Sequence, residues 1–386
     1  MMSRMQEGGE SKIVSIWDVI IVATFLWLIS YYIHLPPPMN RGTWVYSDIT
    51  TLLYERGIVE ADRLLIPYHD YHLEYPPLVA LLFMIANLAI LTIPPEKIYL
   101  RALVGYTVMS FLLYLHMLGT IIILYKLLRY AGRREIHILL YFILMPSFII
   151  YMNYNWDIVG IFYALLAIYL FLRGNTIPSF IMFGFAGAGK IIPALTALAP
   201  ASQIYIESSE EFKNCGVRPI YAGLLAFVES VIYLLISLVV FILWNLPFMI
   251  IDYVGWYRMV RHHAEWYIED SWLIMFFSPT DPVAKVVSMG LIMFMYLTIL
   301  NLLISADLTR EERVIKGSAA FLGAFLFGTY VYTPQMNIML LPLLVLVDVP
   351  YSLVLVFDAL NVLIILSWFN FAILYYILGY GIAVSY

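Results

Sequence analysis

The sequence predicts an all-α polytopic membrane protein, and two observations carry this prediction. Hydrophobic residues make up 63% of the 386 positions and charged residues only 12%, whereas a soluble domain carries about 25% charged residues. Apolar stretches close to the roughly 20 residues that a helix needs to cross a bilayer recur along the chain, with no internal repeat. A single cysteine, Cys215, excludes a disulfide framework. Residues 1–386 are therefore expected to form one integral membrane domain.

The side of the membrane on which each loop lies is predicted from positive charge. Arg4 and Lys12 precede the first span, 14–34, which places the N-terminus in the cytoplasm and the next loop outside. Three further segments that contain basic residues are expected to be cytoplasmic, and these are 125–135, 207–218 and 306–317. The second is the weakest of the three because its acidic residues outnumber its basic ones.

Counting crossings shows that one apolar stretch does not span. Two such stretches, 77–93 and 102–124, lie between an outer loop and the cytoplasmic segment 125–135, but only an odd number of crossings connects the two sides. The shorter stretch is bracketed by two Pro-Pro pairs, so it is predicted to be an interfacial helix. The first outer loop, taken as 35–95, is thus expected to contain juxtamembrane helices.

The remaining chain is expected to alternate in direction. Residues 176–202 leave and regain the cytoplasmic side, which predicts two short helices with a break near Lys190. Lys190 is expected either to snorkel to the cytoplasmic headgroups or to make a structural pair, and the nearby glycines to pack helices. The other predicted spans are 136–153, 158–172, 219–244, 284–305 and 318–330, with two or three more within 338–386.

This topology gathers four polar, aromatic-rich patches on the outer face. They are the first outer loop, the segment 153–157, the outer loop 252–283 and the segment 330–337. The third of these is predicted to be a loop, centred on the polar stretch 252–272. Ionisable groups inside the predicted spans are scattered, so the convergence of these patches predicts a water-facing chemical site at the membrane surface.

The first outer loop begins with a short predicted helix that carries an aspartate. Within 43–57, the residues Ile49, Leu52 and Leu53 share one helical face, and Gly57 supplies a stop. Asp48 lies at the start of this helix and is expected to face water. The alternative interpretation is that Asp48 or Ser47 simply caps the helix.

The order of the motifs resembles that of the GT-C glycosyltransferases, and most closely glycosyltransferase family 87 and the GPI-type mannosyltransferases, which use polyprenyl-phosphate sugars. The motifs are an early aspartate in the first outer loop, an aspartate after the third span, YPP at 75–77, GKIIP at 189–193 and TPQ at 333–335. Each is short, so the resemblance depends on their order and on their shared predicted side. It covers nearly the whole chain.

The resemblance implies a GT-C-type helical bundle that moves a hexose, most commonly mannose, from a dolichyl-phosphate or other polyprenyl-phosphate donor. The acceptor would be lipid-linked or a glycolipid, the anomeric centre would invert, and the site would face the extracytoplasmic side of the cell membrane, or of the endoplasmic reticulum in a eukaryote. Its partners would be donor, acceptor and membrane lipids, with no nucleic acid. The alternative function is a secondary transporter of a polar or lipid-linked solute.

Within this resemblance Asp48 corresponds to the catalytic base that takes the proton of the acceptor hydroxyl. A free aspartate with a pKa near 3.9 is a poor base, so the apolar interface is expected to raise the pKa of Asp48. The donor phosphate is assigned to four basic residues of the outer loop, which equally fit an interfacial belt. These are Arg258, Arg261, His262 and His263.

Sugar or acceptor contacts are assigned to polar residues of the other patches. Asp157 equally fits a helix cap. The assigned residues are His72, Glu74, Tyr75, Asp157 and Gln335.

No cofactor is expected, and a divalent metal is not supported by the sequence. The D-x-D pair of some metal-using relatives is absent, because Thr50 stands two positions after Asp48. The alternative metal ligands would be His69, Asp70, His72 and Glu74.

Overall fold

The computed structural model describes residues 14–37 and 45–369, and the regular elements of these residues are helices. Their only β pairing is two isolated bridges, Pro67 with Tyr71 and Glu269 with Val331. The prediction of an all-α chain is thereby confirmed. Five of the described helices are long and apolar enough to cross a membrane, which is compatible with a polytopic membrane protein, and they are Ile16–Ile33, Ile98–Ala131, Pro219–Ile251, Pro282–Ser305 and Tyr351–Phe369.

The first outer loop contains the two short helices that the sequence predicted. Helix α1, Ile16–Ile33, is followed by α2, Asp48–Glu55, and α3, Pro77–Ile90. The apolar face of α2 is buried, and Gly57 ends the turn with a φ of +66° that favours glycine. Helix α3 has 14 residues and is therefore about 21 Å long, which is shorter than the hydrocarbon core of about 30 Å.

The predicted span 136–153 is not one continuous helix. After the long α4, Ile98–Ala131, the chain forms the single turn α5, Ile136–Ile138, a π-helical turn and then α6, Pro146–Tyr151. Pro146 cannot donate a backbone hydrogen bond, and Met145 before it is extended, with a ψ of 138°. The proline therefore interrupts the helix that hydropathy alone predicted.

The predicted break at Lys190 is present. Helix α7 is Asp157–Leu172, α8 is Thr176–Gly189, and a short α9, Ile191–Ala194, follows an extended Lys190 with a φ of −159° and a ψ of 130°. Helix α10, Leu198–Asn214, continues into the predicted cytoplasmic segment 207–218 and is longer than expected.

Small residues allow the helices around this break to approach closely. A Cβ atom added at Gly184 would lie 2.5 Å from Cβ of Val240, and one added at Gly189 would lie 3.2 Å from the backbone nitrogen of Gly160. At Gly160 an added Cβ would lie 2.8 Å from Cβ of Lys190. The glycines near Lys190 therefore pack helices, as the sequence indicated.

The predicted outer loop 252–272 is largely helical, which corrects the sequence interpretation. Helix α11, Pro219–Ile251, is followed at once by α12, Tyr253–Glu265, and Asp252 accepts a hydrogen bond from the backbone nitrogen of Gly255 at 2.9 Å. This aspartate cap separates the two helices, and the apolar residues of α12 repeat at helical spacing. A short 3₁₀ turn, Trp272–Met275, completes the segment.

The C-terminal half adds four further helices: α13, Pro282–Ser305; α14, Arg310–Gly328; α15, Asn337–Leu344; and α16, Tyr351–Phe369. Arg133 of the predicted cytoplasmic segment pairs with Asp348 at 2.8 Å, while the ring of Phe369 stacks on Tyr46 of the first outer loop at 4.3 Å. Helix α16 thus runs from the predicted cytoplasmic side to the outer side. The predicted spans beyond residue 369, like Arg4 and Lys12, lie outside the described residues.

Candidate functional site

A cavity of about 270 Å³ lies where the four predicted outer patches meet. Each patch contributes to its wall, and so does the break between α8 and α9. The residues that line it are Tyr75, Pro76, Asn155, Lys190, Ile191, Ile192, His263, Trp266, Phe325, Thr329, Tyr330, Val331, Thr333, Gln335 and Met336. The wall is mainly apolar with a few polar groups, as in most small-molecule sites.

Asp48 lies directly behind the cavity wall at the first position of α2. Its carboxylate accepts a hydrogen bond from Nδ2 of Asn155 at 2.8 Å, and Asn155 lines the cavity. Oδ1 of Asn155 accepts from the backbone nitrogen of Trp156, which fixes the orientation of the amide. Asp48 is partly buried and not fully exposed to water as the sequence suggested.

The start of α2 is attached to the segment 153–157 by backbone contacts. The backbone nitrogen of Asp48 donates to the carbonyl of Tyr154 at 2.9 Å, and Oγ of Ser47 donates to the carbonyl of Asn153 at 2.8 Å. Ser47 makes no side-chain cap to α2, and the carboxylate of Asp48 is turned to Asn155. Ser47 thus occupies the N-cap position without a side-chain cap, and the carboxylate of Asp48 does not cap the helix.

Burial raises the pKa of Asp48 to about 7. Hydrogen bonds from Tyr46 and Asn155 and the positive charge of Lys190 oppose this rise, but the loss of hydration outweighs them. The direction agrees with the expectation from the sequence. A carboxyl with this pKa changes its charge near neutral pH, where a general base is most effective.

An ion pair joins the start of α7 to the helix break. Nζ of Lys190 lies 2.8 Å from Oδ1 of Asp157, whose side chain is 2% exposed. The close contact between Gly160 and the Gly189–Lys190 backbone brings the two charged residues together. Lys190 also lies 5.8 Å from the centre of the Tyr75 ring. Of the two expectations for Lys190, the structural pair is therefore the one that is present.

Helix α12 places its histidine side toward the cavity and its arginines away from it. Gly255 and Met259 are buried, and His263, one turn after Met259, lines the cavity. Arg258 and Arg261 are exposed and do not belong to the cavity wall. Arg261 pairs with Glu265 of the same helix at 2.7 Å. The structure thus separates the two arginines from the cavity, because a helix and not a loop sets their directions.

Of the two histidines, only His263 borders the cavity. Nδ1 of His263 lies 3.0 Å from the carbonyl of Met259, and burial by the surrounding protein lowers the pKa of the ring. His262 instead packs beside His72, with 5.6 Å between the ring centres, and beside Trp266 at 4.7 Å. His72 and His262 support the site from behind the wall.

Trp266 and Gln335 contribute further polar groups to the cavity wall. Nε1 of Trp266 donates to Glu269 at 2.7 Å, which holds the indole ring at the cavity. The backbone of Glu269 bonds in turn to Tyr330 and Tyr332. Gln335 is buried, and its Oε1 accepts no hydrogen bond from the described residues. A buried acceptor of this kind is satisfied by a donor from water or from a ligand.

The four alternative metal ligands of the first outer loop are engaged with different partners. His69 lies 3.3 Å from Asp252, Asp70 pairs with Arg63 at 2.7 Å, and Glu74 accepts two hydrogen bonds from Arg56 at 3.2 Å. Within the part of the chain that the structure describes, no three His, Cys, Asp or Glu side chains are grouped to hold a metal ion. Glu74 is also absent from the cavity wall.

Three residues that the site uses, Asn155, Lys190 and Trp266, were not predicted from the sequence. Lys190 carried a signal, because a lone charge in an apolar stretch usually has a function. Asn155 carried none beyond its place in the segment 153–157. Comparison of the chain with known protein families, with curated proteins and with solved structures finds no match.

Proposed function

We propose that this chain is a membrane glycosyltransferase. It moves a hexose from a polyprenyl-phosphate donor to a lipid-linked or glycolipid acceptor, with inversion, on the extracytoplasmic side. The observation that carries the proposal is the placement of Asp48. A carboxylate with a pKa of about 7 is oriented by Asn155 beside a largely apolar cavity that contains an ammonium group.

The reaction needs one base and a stabilised leaving group. Asp48 takes the proton of the acceptor hydroxyl while the hydroxyl oxygen attacks the anomeric carbon. The bond between that carbon and the phosphate oxygen breaks, and the polyprenyl phosphate leaves with its electron pair. The phosphate is already a good leaving group, so no acid has to protonate it.

Lys190 is the cation best placed for the donor phosphate. It lines the cavity, whereas Arg258 and Arg261 do not. The ion pair with Asp157 holds the ammonium group in position before any ligand binds. Because Nδ1 of His263 faces the Met259 carbonyl, the other ring nitrogen of the neutral ring is an acceptor, and it donates to phosphate only after the ring gains a proton. Lys190 therefore supplies the electrostatic stabilisation of the leaving phosphate.

Gln335 and two aromatic residues supply contacts for the sugar. The unpaired Oε1 of Gln335 accepts a hydrogen bond from a sugar hydroxyl, and Tyr75 and Trp266 present ring surface to the cavity. These residues come from three of the four patches, so they enclose a ligand from different sides.

A transfer assay with purified, reconstituted protein tests the proposal. The donor is a polyprenyl phosphate with a radiolabelled hexose, the acceptors are a panel of lipid-linked glycans and glycolipids, and the product is separated from the donor by chromatography. Label that moves to an acceptor and depends on Asp48 supports the proposal.

A secondary transporter is the second candidate, because the broken helix at Lys190 lines the cavity, as discontinuous helices do in transporters. Uptake of labelled solute or lipid-linked sugar into sealed vesicles, with no covalent transfer to any acceptor, would favour transport and contradict the glycosyltransferase proposal.

A further inference from the structure

A second opening lies on the other side of the segment that borders the cavity. This groove has a volume of about 260 Å³ and is separate from the cavity, because Thr329, Tyr330 and Val331 line the cavity whereas Tyr332 lines the groove. Its mouth contains Asp270 and Trp272. The proposed glycosyltransferase chemistry uses none of the groove residues.

The walls of the groove belong to faces that are suited to contact lipid. Phe327 of α14 and Phe357 of α16 line it and are 59% and 39% exposed. Neighbouring apolar residues on α16, Leu353 and Leu360, are also exposed. Helix α16 is one of the helices that is long and apolar enough to cross a membrane. A hydrocarbon chain is thus the natural occupant of the apolar part.

The groove extends from the outer surface into the predicted membrane. Phe369 of α16 contacts Tyr46 of the first outer loop. Phe357 lies twelve residues before Phe369, which corresponds to about 18 Å along a helix toward the cytoplasmic side. Asp270, at the other end, belongs to the predicted outer segment. The groove therefore joins a polar mouth to an apolar interior at membrane depth.

Asp270 is the free polar group of the mouth. Its φ of +48° lies in the left-handed region, which is costly for a residue with a side chain. Hydrogen bonds of both neighbours impose this conformation, since the backbone of Glu269 bonds to Tyr330 and Tyr332 and Oγ of Ser271 donates to Thr329 at 2.8 Å. Burial raises the pKa of Asp270. Within residues 14–37 and 45–369 its carboxylate has no hydrogen-bond or ion-pair partner.

The other polar groups of the mouth are already bonded. The Tyr332 hydroxyl donates to Asn361, and Nε1 of Trp272 donates to the carbonyl of Phe327 at 2.8 Å. Among the described residues that line it, the mouth thus offers an acceptor and no cation. It favours hydroxyl donors and disfavours an anionic headgroup such as a phosphodiester.

From this combination we infer that the groove is a binding site for a neutral membrane lipid with a hydroxyl-rich headgroup, a glycolipid in chemical class. The hydrocarbon chain lies between α14 and α16, and hydroxyl groups of the headgroup donate to Asp270. This inference concerns binding and does not depend on the glycosyltransferase proposal.

Two glycines supply a matched pair of variants to test it. A Cβ added at Gly323, which lines the groove, or at Gly290 of α13 meets no atom within 4 Å. Gly323→Phe therefore fills the groove without a clash at Cβ, and Gly290→Phe makes the same chemical change elsewhere on an apolar helix. Asp270→Gly removes the carboxylate and suits the left-handed backbone.

The experiment measures the lipid retained by purified protein. Protein is taken from nanodiscs that contain equal amounts of a monohexosyl diacylglycerol and a phosphatidylglycerol, and bound lipid is counted by native mass spectrometry. We expect the wild type and Gly290→Phe to retain the glycolipid, and Gly323→Phe to lose it. Asp270→Gly should reduce the preference for glycolipid over phosphatidylglycerol by about tenfold, because one charge-assisted hydrogen bond is lost.

Three results would overturn the inference. The first is equal glycolipid retention by the wild type and Gly323→Phe, and the second is a wild-type preference for phosphatidylglycerol. The third is no specific lipid retention by the wild type, in which case the groove is either empty or filled by another part of the chain. Thermal unfolding of each variant, measured in parallel, shows whether it is folded, and Asp270→Gly keeps the test valid if Gly323→Phe is not.

Discussion

Replacing Asp48 by asparagine tests the proposed chemistry most directly. The asparagine side chain would retain an oxygen that accepts from Asn155 but would no longer take a proton. General-base catalysis contributes about 10²–10⁴-fold to a rate, so sugar transfer should fall by this factor. In the wild type, transfer should rise about tenfold per pH unit below pH 7 and level off above it, because the ionised form of a carboxyl with a pKa of about 7 is the active one.

The same substitution should not destabilise the protein. A carboxyl with a pKa of about 7 in the folded chain and about 3.9 in the unfolded chain destabilises the fold by up to about 4 kcal/mol at pH 7. Water at the partly exposed edge of Asp48 reduces this figure. The raised pKa makes the cost appear as the pH rises above 4 and reach its full size above 7. The Tm of Asp48→Asn should therefore equal or exceed that of the wild type, by more at pH 8 than at pH 5.

Radiolabel transfer and thermal unfolding in detergent, both from pH 5 to 8, measure these effects. Glu60→Gln is the matched control, since Glu60 is an exposed carboxyl of the same outer loop and lies outside the site. It should change neither quantity. Transfer by Asp48→Asn within about threefold of the wild type, or a wild-type rate that does not change between pH 5 and 8, would refute the role of Asp48 as base.

Two further substitutions test the framework of the site. Lys190→Met leaves the buried carboxylate of Asp157 unpaired and should cost about 3–5 kcal/mol of stability, measured as a lower Tm. The double variant that also carries Asp157→Asn should regain much of this stability. If Lys190→Met alone were as stable as the wild type, the ion pair would not be structural. Gly255→Ala puts a Cβ in steric overlap with the carbonyl oxygen of Tyr68, so displacement of α12 should cost about 1–3 kcal/mol of stability and reduce transfer. Gly290→Ala, with open space around it, should change neither stability nor transfer. An unfolding curve of Gly255→Ala that overlays that of the wild type would contradict this contact.

The helical architecture and the meeting of the four polar patches at one cavity could be predicted from the sequence because both follow from coarse properties. The length of an apolar stretch indicates whether a helix can cross a bilayer, and basic residues predict which loops are cytoplasmic. The prediction that α3 is a short juxtamembrane helix used the count of crossings, its length and its bracketing prolines, and its 14 residues agree with a short helix. The four polar patches, which were assigned to one side of the membrane, line one cavity.

The directions of individual side chains were not accessible in the same way. When 252–272 is interpreted as a loop, Arg258 and His263 are equally good candidates for the donor phosphate. In α12 only His263 lines the cavity. The Asp157–Lys190 pair joins residues far apart in the chain, and only the close approach of Gly160 to Gly189 brings them together. Hydropathy also could not show that Pro146 interrupts a predicted span.

The stretch from Thr329 to Tyr332 contributes residues both to the wall of the cavity and to the wall of the groove. A molecule that displaces this stretch from the cavity changes the shape of the groove, and one that displaces it from the groove changes the shape of the cavity. Any resulting change in affinity must be mutual, so a lipid that tightened sugar-donor binding by some factor would itself be held more tightly by that factor when donor is present. The composition of the surrounding bilayer then becomes a variable that sets the occupancy of the cavity.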